Sequence, residues 1–570
     1  MSSELIDLIR SSLIGDDLVM EGPYGPRPII YADYTASGRS LTFIEDAIRE
    51  IVLPWYANTH SESSGTGLQS TEFREQARLA VRNGVGGDES TAIIFVGSGA
   101  TGAVNKLTAI LGLNISDQLK KTYHFDAQIP DDQRPVVFLG PFEHHSNDLP
   151  WRESIAQVVR IPEDESGHID ISSLELALQK YQSRPLKIGS FSAASNVTGI
   201  ITDTDSISKL LHHYGALAIW DYAAAAPYVK IQMIHPTDAA ANKDAIFLSP
   251  HKFVGGPGSP GVLAIHADLL KGSKPSAPGG GTVSYVSDES FQYVSDPIRR
   301  EESGTPDIIG SIRAGLAFDL KASVGTEEIE RRESELLAKA RAELSPNPNI
   351  DILGSVDAKR LSILSLRIGH KGQYLHHNFV VALLNDLFGI QARGGCSCAG
   401  PYGHRLLGID ESKSHLFQEV IDQGWEGMKP GWVRVNLNYF IADEVRDYIV
   451  AALLFIADNG TRFLSDYYFD PFVGLWWHQN PATVHTLGFD ALAKWKKAPT
   501  PTVAGAKAST FADYLAQAAE LAAARPEVTE ASKVKVGSIP DEVDSLRDFM
   551  LPVACVYHAP DLAHGSAHSH

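Results

Sequence analysis

FLSPHKFVGGPGSPGVL, residues 247–263, places a lysine between a short apolar run and a turn rich in glycine and proline. The apolar run predicts a β-strand that ends at Ser249, and His251 and Lys252 follow directly. In parallel sheets, ligand sites are built at the carboxyl ends of the strands. A lysine there suits covalent amine chemistry when burial lowers its pKa, although the commoner fate of a single lysine is an exposed loop.

Short apolar runs alternate with helical segments on both sides of this stretch. The runs are TAIIFVG (91–97), PVVFLG (135–140), VVRI (158–161), KIGSFSA (187–193), ALAIWD (216–221), DAIFLS (244–249) and GVLAIH (261–266). Apolar strands that alternate with helices predict a mostly parallel sheet covered on both faces, which is an α/β fold.

The pattern changes in the second half of the chain. A long charged helix is predicted over 326–344, and strands over 361–369 and 433–440, which suits a smaller α+β domain. The aromatic cluster DYYFDPFVGLWWH and a linker-like stretch rich in proline and alanine follow. We predict four units: an N-terminal arm (1–30), a large domain (31–310), a small domain (311–465) and a C-terminal extension (466–570).

Composition excludes several function classes. Lys and Arg number 49 and Asp and Glu 69, a formal charge of −20, which argues against nucleic-acid and anionic-membrane partners. Three cysteines in 570 residues exclude a disulfide framework. Without a signal-peptide pattern or an apolar run of ~18 residues, we expect a cytoplasmic protein. The histidines at the end of the chain are expected to lie in a disordered tail, and Cys555 is given no role.

Gly97-Ser98-Gly99-Ala100-Thr101-Gly102 matches the glycine-rich pattern of dinucleotide sites, between a strand and a helix. The motif lies about 90 residues into the chain, and no acidic residue ends a second strand about 20 positions later. The alternative to a binding site is a strand–helix turn with no ligand. We retain the narrower interpretation that the helix N-terminus binds a phosphate group.

Asp221 ends the strand ALAIWD, 31 residues before Lys252. A carboxylate beside a buried apolar run is costly without a cationic partner. The protonated ring nitrogen of pyridoxal 5′-phosphate (PLP) is such a partner. Asp221, Lys252 and the phosphate cradle together predict a PLP site.

Four further polar residues lie shortly after predicted strands. His144 and His145, with Asp148, admit a metal-site interpretation, but no third ligand recurs at regular spacing, so no metal is expected. In a PLP site, the flat His144 ring can stack on the cofactor and handle protons. Asn196 can hydrogen-bond the cofactor ring, or it can simply form a turn.

Ten motifs, taken in order, resemble the class V aminotransferase family, whose members have the fold type I PLP architecture. The match covers about residues 25–460 and is most similar to the cysteine desulfurase and selenocysteine lyase branch. The motifs are DYTASG (33–38), YANTHSESSG (56–65), GSGATGAVN (97–105), EHHSN (143–147), SNVTG (195–199), WDYAAAA (220–226), SPHKFVGGPGSPG (249–261), REESGTP (300–306), RGGCSCAGP (393–401) and VRVNLNYF (433–440).

The resemblance implies a role for each matching position. Lys252 binds the cofactor as a Schiff base, and Asp221 pairs with the ring nitrogen. Catalysis is assigned to Lys252, Cys398 and His144. The implied cofactor-binding residues are Ala100, Thr101, His144, Asn196, Asp221, Ser249, His251, Lys252 and Thr282, the last reaching the phosphate of the neighbouring subunit of a homodimer. The implied substrate-binding residues are Ala36, Asn58, His60, Arg393 and Arg434, the last binding the substrate carboxylate.

The chain departs from the family pattern at three positions, one of which is Cys396 before Cys398, where many desulfurases have histidines. Ala224 stands where desulfurases usually carry a glutamine, and Ser61 replaces the usual arginine. A long insert separates Cys398 from Arg434, and the last hundred residues have no counterpart in a minimal desulfurase.

The desulfurase interpretation converts L-cysteine to alanine and leaves a persulfide on Cys398, for transfer to an acceptor protein. The Cys398 thiolate is the active form, and His60, His145 or Arg393 could supply positive charge near it. Three alternatives stay open: a C–S lyase, an aminotransferase or epimerase, and a non-enzymatic metal or redox site at Cys396, Cys398 and His404. The sequence leaves open the substrate, the acceptor and which of the two cysteines reacts.

Overall fold

The computed structural model describes residues 2–59, 63–480, 510–526 and 539–551. His60, Ser61, Cys555 and the histidines at the end of the chain lie outside these ranges. The N-terminal part contains a helix, a hairpin, a short strand and two further helices. These elements are α1 (Ser2–Ser11), β1 (Val19–Gly22), β2 (Gly25–Pro28), β3 (Ile30–Tyr31), α2 (Thr42–Ala47) and α3 (Gly65–Gly84).

The next part forms a seven-stranded sheet covered by helices. Its elements are β4 (Thr91–Val96), α4 (Gly99–Ile110), α5 (Asp117–Tyr123), β5 (Val136–Leu139), α6 (Leu149–Arg152), β6 (Gln157–Arg160), α7 (Ile171–Lys180), β7 (Lys187–Ser192), α8 (Thr204–His213), β8 (Leu217–Asp221), β9 (Ala245–Leu248), β10 (Gly261–His266), β11 (Val283–Val286), β12 (Phe291–Tyr293), α9 (Pro297–Glu301) and α10 (Ile308–Val324). The strand order is β4-β10-β9-β8-β7-β5-β6, and β10 runs opposite to the other six. All seven apolar runs form strands here, which confirms the predicted large, mostly parallel sheet.

Both faces of the large sheet are buried. On β4, Ile93 and Phe95 belong to the core on one face, whereas Ala92 and Ile94 belong to the core on the other. A strand covered on both sides needs apolar residues at every position, which explains why the runs are continuously apolar.

A smaller sheet follows α10. Its elements are α11 (Thr326–Leu344), β13 (Ile350–Ile352), β14 (Ile363–His370), β15 (Gln373–Tyr374), α12 (His377–Phe388), β16 (Ile390–Gln391), β17 (Arg393–Gly395), α13 (Gly400–Leu406), α14 (Glu411–Asp422), β18 (Trp432–Asn436) and α15 (Asp443–Asn459). The order β13-β14-β18-β17 is antiparallel, with β15 on β14. The predicted domain limit at 310 falls inside α10, which packs on α3, and the division into four units stays a prediction.

The described parts of the C-terminal region pack on the smaller sheet's core. They are β19 (Tyr467–Asp470), β20 (Leu475–His478), α16 (Phe511–Ala523) and α17 (Asp541–Asp544). Trp476 and Tyr514 share a buried cluster with Phe379 of α12, and the Trp476 indole N–H donates to His376 Nδ1 at 3.0 Å. Among the described residues, no helix has the length and apolar character needed to cross a bilayer.

Candidate active site

A cavity of about 210 Å³ lies at the carboxyl edge of the large sheet, facing β17 and β18 of the smaller one. Five segments meet there: the start of α4, which packs on the large sheet, and the carboxyl ends of its strands β5, β7, β8 and β9. The lining residues are Thr35, Ala36, Ser98, Gly99, Ala100, Thr101, His144, Ser146, Ser192, Ala194, Asn196, Asp221, Ala223, Ala224, Ser249, His251, Lys252, Arg393, Ser397, Cys398 and Arg434.

The first turn of α4 forms a cradle of amides and hydroxyls at one end of the cavity. The Ala100 amide donates to Ser249 Oγ at 2.9 Å, and the Thr101 and Ser146 hydroxyls are 2.6 Å apart. Gly99 has a φ of 54°, and a Cβ there would lie 2.9 Å from both Ser249 Oγ and His251 Cε1. Only glycine allows the backbone at position 99 to come this close to the Ser249 and His251 side chains. N–H groups at a helix start, together with hydroxyls, suit a phosphate group.

Asp221 and Lys252 face the same cavity from neighbouring strands. Asp221 is 5% exposed, and its Oδ1 accepts the Ala223 amide at 2.8 Å. Burial raises the pKa of Asp221, while that hydrogen bond and the charge of Lys252 oppose the shift. Burial lowers the pKa of Lys252 to about 8, although Asp221 acts in the opposite direction. The lysine amine is therefore partly neutral near neutral pH, the condition that covalent amine chemistry requires.

His144 lies on the loop after β5. Its Nδ1 accepts the Ser146 amide at 3.1 Å, and burial, with Lys252 nearby, lowers its pKa to about 3. The preceding Glu143 is buried and accepts hydrogen bonds from Ser192 Oγ (2.7 Å) and Asn147 Nδ2 (2.7 Å). Burial raises the pKa of Glu143 to about 7, against the effect of these bonds. Glu143 thus ties the His144 loop to β7, a link that the sequence did not indicate.

Two arginines lie side by side on the wall of the cavity that the smaller sheet forms. Arg393 and Arg434 are direct partners in the β17–β18 ladder. Arg434 is buried, and its guanidinium donates to Asp33 Oδ1 (2.7 Å) and to the Asn196 carbonyl (3.1 Å). Its Nε has no hydrogen-bond partner within the described ranges. Burial lowers the pKa of Arg434, and Asp33 opposes this effect. A cation with an unused donor at a cavity wall suits an anionic ligand group.

Cys398 reaches the cavity on the loop after β17. Ser397 and Cys398 have φ angles of 51° and 56°, in the left-handed region. The Asn196 side-chain amide donates to the Ser397 carbonyl at 2.7 Å. Cys396 is half-buried, packs against the core cluster that includes one face of the large sheet, and is not among the lining residues. Of the two cysteines, Cys398 is the one that lines the cavity.

Twelve of the predicted site residues line this one cavity. Three do not: Thr282 is buried elsewhere, with its hydroxyl donating to the Gly279 carbonyl at 2.7 Å; Asn58 lies outside the lining; and His60 lies outside the described residues. The site also uses Ser98 and Gly99 of the glycine-rich motif, and it uses Thr35 and Ser397, which fall inside the quoted motifs but were not singled out. Ser192 and Ala194, at the end of β7, carried no signal beyond their place after a strand.

Two metal interpretations concern His144 and His145 with Asp148, and Cys396 and Cys398 with His404. Among the described residues, no group of three or more His, Cys, Asp or Glu side chains is placed to hold a metal ion. The imidazoles of His144 and His145 are 6.2 Å apart, and Asp148 instead pairs with Arg160 at 2.6 Å.

The chain is similar to known proteins in sequence and in fold. The sequence profile of the aminotransferase class-V family matches residues 30–412. The chain belongs to the aminotransferase class-V family. A probable cysteine desulfurase of Halalkalibacterium halodurans is 28% identical over 67% of this chain and 87% of its own length. A cysteine desulfurase of Dickeya dadantii is 27% identical over 70% of this chain and 88% of its own.

The fold agrees with the family assignment. A solved apo structure of a cysteine desulfurase from Thermococcus onnurineus NA1 superimposes with a TM-score of 0.61 at 23% identity, over 75% of this chain and 95% of that one. The class-V match ends at residue 412, in the first turn of α14. The residues after 412, including β18 and the C-terminal region, lie beyond that match.

Proposed function

We propose that this chain is a PLP-dependent, cysteine desulfurase-like enzyme that takes sulfur or selenium from L-cysteine or a related amino acid. The sulfur moves to Cys398, and alanine is the other product. The observation that carries this proposal is the convergence of Lys252, Asp221 and Cys398 on one cavity beside a phosphate cradle. The names of the relatives support the choice of reaction.

The residues fit PLP on three counts. The cradle at Ala100, Thr101 and Ser249 offers amide and hydroxyl groups to a phosphate. Among the described residues, Asp221 accepts one hydrogen bond, from a backbone amide, and a protonated ring nitrogen would supply a cationic partner. Lys252 provides an amine of lowered pKa. When bound, PLP supplies an electron-withdrawing ring that stabilises negative charge on the substrate's α-carbon.

Lys252 is suited to move protons at its Nζ, because a pKa of about 8 lets the amine both accept and return a proton near neutral pH. His144 stays neutral, since burial lowers its pKa to about 3. A neutral, flat imidazole can cover the cofactor ring without repelling a positively charged group. Because its Nδ1 accepts the Ser146 amide, Nε2 carries the proton and is the atom able to donate.

Arg434 is the proposed binding group for the substrate carboxylate. Its charge is already paired with Asp33 at 2.7 Å, so a substrate carboxylate shares the guanidinium with a resident acid. Arg393, its exposed neighbour in the ladder, adds a second positive charge at the same wall. This charge balance favours an amino acid substrate over a neutral amine.

Cys398 is the proposed nucleophile. Its thiolate sulfur attacks the substrate sulfur, so an S–S bond forms while the substrate's Cβ–S bond breaks. The electron pair of the broken bond and a proton complete the methyl group of alanine. The products are alanine and a persulfide on Cys398, which an acceptor protein would then discharge.

Assembly and location are part of the same proposal. The family resemblance implies a homodimer in which Thr282 serves the partner's phosphate site, and its position outside this chain's own cavity is compatible with that role. The low cysteine content supports a cytoplasmic enzyme.

The test is an absorbance spectrum of the purified protein before and after L-cysteine, with alanine, sulfide and persulfide assayed in parallel. We expect a PLP band that Lys252→Ala abolishes. Cys398→Ala should keep the band and lose persulfide, whereas Cys396→Ala, the matched control, should keep both. Pyruvate and sulfide from the Cys398→Ala protein would identify a C–S lyase instead. Absence of any band after addition of PLP would refute the proposal.

A further inference from the structure

The loop that carries Cys398 has a strained backbone. Among the described ranges, four non-glycine residues have left-handed φ angles, and two of them, Ser397 and Cys398, are consecutive here. Side chains with a Cβ adopt this conformation only where surrounding contacts hold them in it. The contacts around the loop therefore decide where the thiol lies.

His145 makes two of these contacts at once. Its backbone amide donates to the Cys398 carbonyl at 2.9 Å, and its ring Nε2 accepts the Gly400 amide at 3.2 Å. The two bonded groups lie on either side of Ala399, so the histidine spans the segment that follows the thiol. His145 belongs to the large domain, next to His144, whereas Cys398 follows β17 of the smaller sheet. The contact therefore joins the two walls of the cavity.

We propose that His145 is a positioning residue that holds the Cys398 thiol at the cavity. This inference rests on the proposed function and adds a role that the cofactor-facing residues do not fill. His145 does not line the cavity, so it acts through the loop and not on the substrate.

The hydrogen bond fixes the state of the ring. Because Nε2 accepts the Gly400 amide, the proton must sit on Nδ1. Burial lowers the pKa of His145, with Arg152 and Arg160 acting in the same direction and Asp148 against them. The ring is therefore neutral at neutral pH, which the acceptor role requires. A second proton would turn Nε2 into a donor facing the Gly400 amide.

Two substitutions distinguish the effect of the His145 Nε2 acceptor from the effect of the size of its ring. His145→Phe keeps the ring and removes the acceptor, whereas His145→Gln offers an amide oxygen in its place. His404→Phe, in α13 and outside the cavity lining, is the matched control. Each protein is loaded with PLP, and the cofactor absorbance serves to check that the site is intact.

The first readout is hydrogen exchange over residues 396–403, which needs no turnover. His145→Phe should raise exchange there by about tenfold, the effect of one lost hydrogen bond. The second is the rate of persulfide formation on Cys398, which should fall by about 100-fold, with the KM for L-cysteine little changed, because a misplaced reacting group affects chemistry more than binding. His145→Gln should restore both to within about threefold, and His404→Phe should alter neither.

Wild-type exchange and persulfide rates in His145→Phe would overturn the proposal, as would a loss in His145→Gln equal to that in His145→Phe. If the wild-type protein forms no persulfide, the proposed function fails, yet the exchange experiment still decides whether His145 holds the loop. Should His145→Phe not fold, nitrogen-15 spectra of histidine-labelled wild-type protein, assigned by difference with His145→Gln, give the tautomer. A proton on Nδ1 supports the proposal, and one on Nε2 overturns it.

Discussion

Replacing Gly99 with alanine tests the phosphate cradle directly. The new Cβ would lie 2.9 Å from Ser249 Oγ and His251 Cε1, on a backbone with a φ of 54°. The left-handed conformation costs such a residue ~1 kcal/mol or more. Displacing the Ser249 hydroxyl removes its bond with the Ala100 amide, worth ~1 kcal/mol. Because the empty loop can relax but the loaded one cannot, the sum of about 2–3 kcal/mol should weaken PLP binding by about 30- to 150-fold.

The assay is an absorbance titration of the apo-protein with PLP. Gly97→Ala is the matched control, since it belongs to the same motif and a Cβ there meets no atom within 4 Å. We expect it to bind PLP within about twofold of wild type, because no contact is lost. A Gly99→Ala protein that binds PLP as tightly as wild type would show that the phosphate lies elsewhere. Equal losses in both variants would refute the contact-based explanation.

Three further predictions follow from buried groups. The apo-protein should take up PLP faster as the pH rises through about 8, because burial lowers the pKa of Lys252 to that value and the neutral amine is the form that reacts. Stopped-flow absorbance measures the rate of uptake, and a rate that does not change with pH would contradict this prediction. Glu302→Gln should lower the free energy of unfolding by about 3 kcal/mol, since it leaves the two α3 arginines beside it with only the exposed Glu75 as a counter-charge. Burial acts to raise the pKa of Glu302, but the two arginines outweigh it and the pKa is lowered. The ion pairs therefore stabilise the folded protein above the pKa of the unfolded carboxyl group, and this stabilisation is lost as the pH falls. Denaturant midpoints measured across pH should show both effects, with a Glu→Gln change at the exposed Glu89 as the control. Trp476 is 6% exposed, and Trp476→Ala should lower the free energy of unfolding, measured by thermal unfolding, by about 3–5 kcal/mol. Trp477 is 40% exposed, and Trp477→Ala should lower it far less. Similar losses in the two variants would contradict packing of this hairpin on the core of the smaller sheet.

Local pattern was sufficient for the strands of the large sheet. Each apolar run had the length and continuity of a strand buried on both faces, and each became one. Lys252 and Asp221 could be placed at strand ends for the same reason. Because the carboxyl ends of parallel strands meet at one edge, their proximity followed from the sequence as well. The position of β10, reversed between β4 and β9, could not be predicted this way, since strand order depends on how the connections cross the sheet.

The remaining site features arise from contacts between distant parts of the chain. Arg434 pairs with Asp33 across 401 residues, and Asn196 holds the Ser397 carbonyl across 201. Nothing in a short window of sequence specifies such a pair, because each depends on how the smaller sheet packs against the large one. The resemblance to a family placed Cys398 and Arg434 in the site, but it could not indicate that His145 contacts the Cys398 loop. The sequence thus determined the strands and the chemistry at their ends, through burial and periodicity. Tertiary packing alone decided which polar groups face one another, because a hydrogen bond depends on distances that local patterns do not encode.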